Sequence, residues 1–259
     1  MQRYIFLDLD DTLFQTLRKC ANGADDPALQ MRALLPDGTP NSFATAKQQW
    51  LWDWLNQGFR VVPVTARDAG AFGRVDLPFR EEAVLNHGAV ILDKHGAIDR
   101  VWMAMLMEDL PAYQTKLLAL WADVAAYCSQ HDGFKPKLVQ DFGVTWYGYI
   151  KHHDGTEATL KTVLDTLIKP HPQVLNGSLY WHLNGNNLAV LPKIINKESA
   201  VRYLLARYQR EHSEILSFGA GDSKTDAPFM ALCDYALIPK HTQLAQLLAD
   251  AALNPIPAP

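Results

Sequence analysis

The N-terminal stretch YIFLDLDDTLF, Tyr4–Phe14, constrains the fold of this chain more than any other segment. It reads as a buried strand that runs straight into three acids, Asp8, Asp10 and Asp11. Carboxylates gathered at the end of an apolar run repel one another and lose hydration. Something compensates them, or they are there for chemistry.

Further short apolar runs follow at Arg60–Val64, Ala83–Leu85, Ile215–Phe218 and Tyr235–Ile238, most of them separated by helical patterns. Ser42–Asn56 has Trp50, Leu51, Trp54 and Leu55 at helical spacing, with Gly58 placed to cap its end. Lys197–Glu211 repeats the pattern, with Ala200, Val201, Leu204, Leu205 and Tyr208 inward and Asn196 as its N-cap. Alternating strands and helices predict an α/β fold, a doubly wound parallel sheet of Rossmann-like type covered on both faces. Pro63, inside RVVPVT, predicts a bulge or an early end to the second strand.

The pattern changes between Asp93 and Pro192. FKPKLVQDFGVTWYGYI shows mixed alternation, SLYWHLNGNNLAVLP reads as two strands joined by a Gly-Asn turn, and Pro111–Gln130 and Thr156–Ile168 read as helices. The expected organisation is a core of residues 1–92 and 193–259 with an α/β insert, residues 93–192, carrying its own antiparallel sheet. Residues 15–41 read as a loop or flap, and the closing NPIPAP as a frayed tail.

A chain of 259 residues with 48% hydrophobic and 20% charged residues is ample for proper cores, and its net charge of −4 comes without a long basic run. Nucleic acid is therefore not an expected partner. No apolar run is long enough to span a bilayer, and the first strand begins too near Met1 for a signal peptide. Cys20, Cys128 and Cys233 are odd in number and spaced neither as a metal site nor as a redox pair, so they are expected to be buried and reduced. A soluble, cytoplasmic protein is the expectation.

In an open parallel sheet, ligands bind beyond the carboxyl ends of the strands. There the chain places Asp8, Asp10, Asp11 and Thr12, then Thr65, Arg67 and Asp68, then Asp222, Lys224, Thr225 and Asp226, with Lys197 heading the helix that re-enters the core. Asp8 and Asp10 share a face while the chain stays extended, and an acid from GAGDSKTD can join them. Carboxylates without histidine or thiol suit a hard ion, and Mg²⁺ is the natural candidate. Lys197 and Thr65 offer donors to a phosphoryl group. These are the parts of a phosphoryl-transfer site.

The motifs resemble those of the haloacid dehalogenase superfamily of phosphatases. DLDDTL at Asp8–Leu13 is similar to the first motif, Thr65 in VVPVTAR to the second, Lys197 in PKIINKESAV to the third, and GDSKTD at Gly221–Asp226 to the fourth. NHGAVILDKHGAI, followed by an insert before the lysine, resembles the Cof-type and sucrose-phosphate phosphatase branch, whose cap lies between the second and third motifs. The resemblance implies that Asp8 is the nucleophile and Asp10 the acid/base. It implies Mg²⁺ held by Asp8, the backbone carbonyl of Asp10 and Asp222, with Asp226 orienting the site. The chain departs from the family where it has Asp11 and Ala66 in place of frequent glycines, and Thr225 in place of a frequent asparagine.

Plainer readings exist for several positions. Asp-x-Asp alone is often a turn or a cap, Thr65 a helix cap, and Lys193 competes with Lys197 for the lysine position. Arg67 is a candidate substrate contact or an exposed ion pair. His182, Asn184 and Asn187, on the insert's hairpin, are candidates to read a sugar or are simply a polar turn. His152 and His153 lack partners for a metal site, and Trp50, Trp52 and Trp54 read as core and helix surface, not as a stacking platform. The expected function is a Mg²⁺-dependent phosphomonoester hydrolase acting on a small phosphorylated metabolite, a sugar phosphate. A phosphomutase of the same superfamily, or a non-catalytic phosphometabolite-binding protein, is the alternative.

Overall fold

The structure is a computed structural model that describes all residues except 21, 22, 24, 25 and 254–259. The expected frayed tail lies outside the described residues. The chain divides into two compact units, Met1–Asp99 with Lys197–Pro259, and Arg100–Asn196.

In chain order, the first unit begins with β1 (Gln2–Leu7), β2 (Gln15–Thr16), β3 (Gln30–Leu34), β4 (Pro40–Ala44), α1 (Ala46–Gly58), β5 (Arg60–Pro63), α2 (Ala69–Phe72), β6 (Ala83–Leu85) and β7 (Val90–Leu92). The second unit holds α3 (Arg100–Gln130), β8 (Phe134–Asp141), β9 (Val144–His152), α4 (Glu157–Val163), α5 (Pro172–Leu175), β10 (Leu179–Leu183) and β11 (Leu188–Pro192). The first unit resumes with α6 (Lys197–Glu211), β12 (Ile215–Ala220), α7 (Ala227–Met230), β13 (Tyr235–Leu237) and α8 (Gln243–Leu253).

The sheet of the first unit runs β13-β12-β1-β5, all parallel, and a single parallel bridge from Val64 to Val84 brings β6 alongside β5. β1 is buried on both faces because its alternate residues serve two layers. Ile5 and Leu7 pack with Trp52 and Leu55 of α1, while Tyr4 stacks on Tyr208 of α6 at 4.1 Å between ring centroids. Burying Tyr4, Ile5, Phe6 and Leu7 contributes on the order of 1.5–3 kcal/mol each before entropy is counted. Chain order reverses at β1, with β5 on one side and β12 on the other, so the switch point of the sheet falls at the carboxyl ends of β1 and β12.

Pro63 does not bulge β5, since it pairs in register with Leu7, and the strand ends on it, one residue short of the predicted run. The Val64 N–H faces β1, bonding Leu7 O, and the Thr65 N–H faces β6, bonding Val84 O. The missing donor of Pro63 therefore points toward β6 one step before that pairing begins, where no ladder bond is lost.

Other expectations need correction. Ser42–Ala44 belong to β4, and α1 starts later because Thr45 and Gln48 form a capping box. Gly58 is the last helical residue, and the extended Phe59 closes the helix by donating to Leu55 O. Residues 15–41 are no simple flap: β2, β3 and β4 make a three-stranded antiparallel sheet, with the turn at Leu35–Thr39.

In the second unit the sheet order is β10-β11-β9-β8, antiparallel throughout. Leu117, Leu120, Trp121 and Val124 of α3 pack with Ile150, Leu188 and Val190 and with Leu160 and Val163 of α4. Gly148 is required there, because a Cβ at that position would lie 2.3 Å from the Trp121 ring. α3 starts at Arg100, not at Pro111, which sits inside the helix. Proline at a helix start is the commoner arrangement, and that preference set the expected boundary.

Candidate active site

β1 and β12 lie side by side, and the Asp8 N–H donates to Ala220 O at 2.9 Å, so the chain leaves both strands at one point. Asp8, Asp222 and Asp226 are buried there and present oxygens that all lie within 4.8 Å of one another. The Lys197 ammonium, 5% exposed, donates to Asp8 Oδ1 and to Asp226 Oδ1, both at 2.6 Å. The Thr12 hydroxyl donates to the other oxygen of Asp8 at 3.3 Å. Of the two candidate lysines, Lys197 is the one bonded to these acids, and Lys193 is exposed.

The second oxygen of Asp226 accepts from the Ser223 N–H at 2.9 Å and from its hydroxyl at 2.6 Å. Asp226 is thus held on both sides by protein groups. A Cβ on Gly221 would meet the Asp226 Cβ at 2.5 Å, which is why the turn after β12 takes glycine. Ser223 was missed from sequence; its place inside GDSKTD was the only signal.

Asp10 is the acid that the structure sets apart from this cluster. Its carboxylate receives a bidentate pair from Arg67, Nε and Nη2 each at 2.8 Å, and its side chain is 48% exposed. Arg67 also donates to Ala71 O at 3.3 Å and lies over the Phe14 ring, so its guanidinium serves the protein here. Thr65, 1% exposed, accepts from the Arg67 N–H at 3.2 Å.

That loop is braced from β6. Asn86, His87 and Gly88 all have positive φ, of 51°, 58° and 102°, and the N–H groups of Asn86 and His87 donate to Arg67 O and Thr65 O. Successive left-handed residues turn their N–H groups to one side, and here two of them fix the Thr65–Arg67 backbone.

Asp11 has φ 65°, in the left-handed region that glycine occupies freely and aspartate tolerates better than most residues. Its backbone explains why glycine is frequent at that position, and its carboxylate pairs with Lys19 at 2.5 Å. His182 lies in β10 and Asn184 in the turn after it, both half-buried in the second unit.

Burial pushes the Asp8 carboxyl well above the usual range, against the pull of Lys197, with Asp226 and Asp222 adding to the rise. Burial, aided by the charges of Asp226 and Asp11, pushes Asp222 up to about 7. Asp226 is held low: burial works upward, but Lys197 and the Ser223 donors outweigh it. Lys197 is raised, since Asp226 and Asp8 more than offset the downward effect of its burial. One ammonium thus faces three carboxylates, and the Asp226 ion pair is the part it fully compensates. An all-oxygen donor set with excess negative charge fits a hard divalent cation. By contrast, burial pushes the Cys233 thiol up to about 12, away from nucleophilic chemistry.

Residues 151–238 match the family model of haloacid dehalogenase-like hydrolases. No curated protein matches the chain in sequence. Among solved structures, the sucrose-phosphatase from Synechocystis sp. PCC6803, in complex with sucrose and phosphate, is similar at TM-score 0.54 and 15% identity, covering 98% of each chain. A trehalose-6-phosphate phosphatase related protein is similar at TM-score 0.50 and 17% identity, over 97% of this chain and 99% of that one. The C-terminal domain of C. albicans trehalose-6-phosphate phosphatase is similar at TM-score 0.51 and 15% identity, over 100% of this chain and 79% of that one. The fold is that of these proteins.

Proposed function

We propose that the chain is a Mg²⁺-dependent phosphomonoester hydrolase acting on a small phosphorylated metabolite, a sugar phosphate. The observation that carries this reading is the buried Asp8–Lys197–Asp226 chain with Asp222 beside it. Asp8, the Asp10 carbonyl and Asp222 would hold the metal, which supplies charge that shields the attacking carboxylate and the phosphoryl oxygens.

Asp8 attacks phosphorus, and the bond from phosphorus to the ester oxygen breaks as Asp10 protonates that leaving oxygen. Water then attacks the aspartyl phosphate, Asp10 takes the water's proton, and the bond from phosphorus to the Asp8 oxygen breaks, releasing phosphate. Thr65 and Lys197 donate to the phosphoryl oxygens. Arg67, expected to contact substrate, fits better as the clamp that aims Asp10, because Asp10 already takes two of its donors. Asp226 orients Lys197, a role supported by its full set of protein partners.

The sugar-phosphate class is supported by the likeness to the sucrose- and trehalose-phosphate enzymes. The second unit, with His182 and Asn184 on its hairpin, is the proposed specificity-bearing cap. Asp8→Asn is expected to reduce phosphate release from an aryl phosphate to background while leaving the fold intact. A variant that kept the wild-type rate would sink the mechanism, and isomer formation without phosphate release would point to mutase chemistry instead.

A further inference from the structure

A cavity of about 790 Å³ opens in the first unit between the start of α1, the Asp11–Lys19 segment and the turn that follows β13. Its size falls within the roughly 300–1,000 Å³ of small-molecule sites. Its apolar lining includes Leu51, Leu237, Ile238 and Pro239. At its side stand Trp50 and Trp54, 68% and 43% exposed, their rings 7° from parallel with centroids 6.3 Å apart. Two large indoles side by side at the edge of a cavity form an apolar patch of the kind that marks a binding surface.

The charge at the cavity has one sign to spare. Lys47 and Lys240 are exposed, and among the described residues neither has a carboxylate partner, whereas the only carboxylate in the lining, Asp11, is neutralised by Lys19. Lys47, Trp50, Leu51 and Trp54 recur at helical spacing and share one face of α1. On the opposite wall, His241 has φ 66° in a turn closed by the Thr242 hydroxyl, which donates to Pro239 O at 2.7 Å. A non-glycine residue held in that conformation beside a cavity is the kind of strain that collects at ligand sites. The polar wall is also preformed, since Gln48 donates to Gln15 Oε1 at 2.7 Å and to Thr12 O at 3.3 Å.

We propose that this cavity binds a mononucleotide-like ligand, a flat aromatic ring joined to an anionic phosphate. The ring stacks on the Trp50–Trp54 pair and the anion is held by Lys47 and Lys240. Stacking of a base on an aromatic side chain contributes enough to be read as about a tenfold change in affinity when the side chain is removed. Trp52, 5% exposed, is core and Trp50 and Trp54 are helix surface, as expected; only the role of the exposed pair as a stacking platform departs from that expectation.

The test titrates 3′,5′-cyclic AMP, a phosphodiester that is not a phosphomonoesterase substrate, into the full chain and follows tryptophan emission and heat. The expected result is saturable quenching, weakened about tenfold or more by Trp50→Ala and by the double change Lys47→Glu and Lys240→Glu. Adenosine and inorganic phosphate, each carrying half of the chemistry, are expected to bind at least tenfold more weakly. The substituted side chains are exposed, so both variants should melt and hydrolyse an aryl phosphate as the wild type does, and Asp8→Asn should bind the probe unchanged. Absence of saturable binding, or binding indifferent to both variants, overturns the proposal without touching the hydrolase reading.

Discussion

Asp222 in the first unit and Asp154 in the second are the same side chain under opposite conditions. Asp222 is 6% exposed and short of donors, and burial pushes it up to about 7. Asp154 sits in an exposed turn, accepts from the Thr156 N–H at 2.8 Å and the Thr159 hydroxyl at 2.6 Å, and faces the His152 ring at 3.0 Å. Those donors hold it far below its ordinary value of 3.8. One aspartate is a charge that burial leaves poorly compensated; the other is tied into the turn that leads to α4. The number of donors within reach, not the presence of a carboxylate, separates the two.

Several measurements would break or sharpen that contrast. The largest effect is expected from Lys197→Met, which strands Asp8 and Asp226 without their ammonium. Unfolding in urea without metal should show a loss of about 3–5 kcal/mol, and a loss near zero would mean the acids are compensated elsewhere. Next, Mg²⁺ at a hundredfold over its dissociation constant should stabilise the wild type by about 2.7 kcal/mol. Asp222→Asn should lose most of that gain in a thermal melt and Asp154→Asn none of it; equal responses would erase the distinction.

Gly221→Ala forces a Cβ to within 2.5 Å of the Asp226 Cβ, and Gly148→Ala forces one to within 2.3 Å of Trp121. Each should cost about 1–3 kcal/mol, yet only Gly221→Ala should weaken Mg²⁺ binding by calorimetry. The smallest effect is on acid sensitivity. The depressed value of Asp154 means its stabilisation is present above 3.8 and is lost as pH falls through its lower folded value. Asp154→Asn should therefore flatten the acid limb of the second unit's stability profile below that pH, and an unchanged limb would mean that the turn does not depend on the Asp154 charge.

The parallel sheet was legible because β1 and β12 carry apolar residues without regard to face, which only a doubly covered strand requires. The sheet at residues 15–44 was not. β3, QMRAL, and β4, PNSFA, have mixed polarity, and β3 is secured from outside by the distant backbone bonds Leu34 N–H to Arg74 O and Asp76 N–H to Arg32 O. Local propensity carries no record of such partners. The left-handed Asn86–Gly88 turn was equally hidden, although an Asn-x-Gly run after a strand is the kind of signal that suggests one.

Sequence by itself nominated the candidates for the site, because order, spacing and strand ends put Asp8, Thr65, Lys197, Asp222 and Asp226 after apolar runs of a predicted parallel sheet. Tertiary structure decided how they are paired: Asp10 to Arg67, Lys197 to two acids at once, Ser223 to Asp226, and Asp11 bent away toward Lys19. It also decided that Trp52 is buried while Trp50 and Trp54 stand open beside a cavity. The reason is physical: a side chain's type and period are local properties, whereas its burial, its charge state and its partner depend on what distant segments bring within a few ångströms.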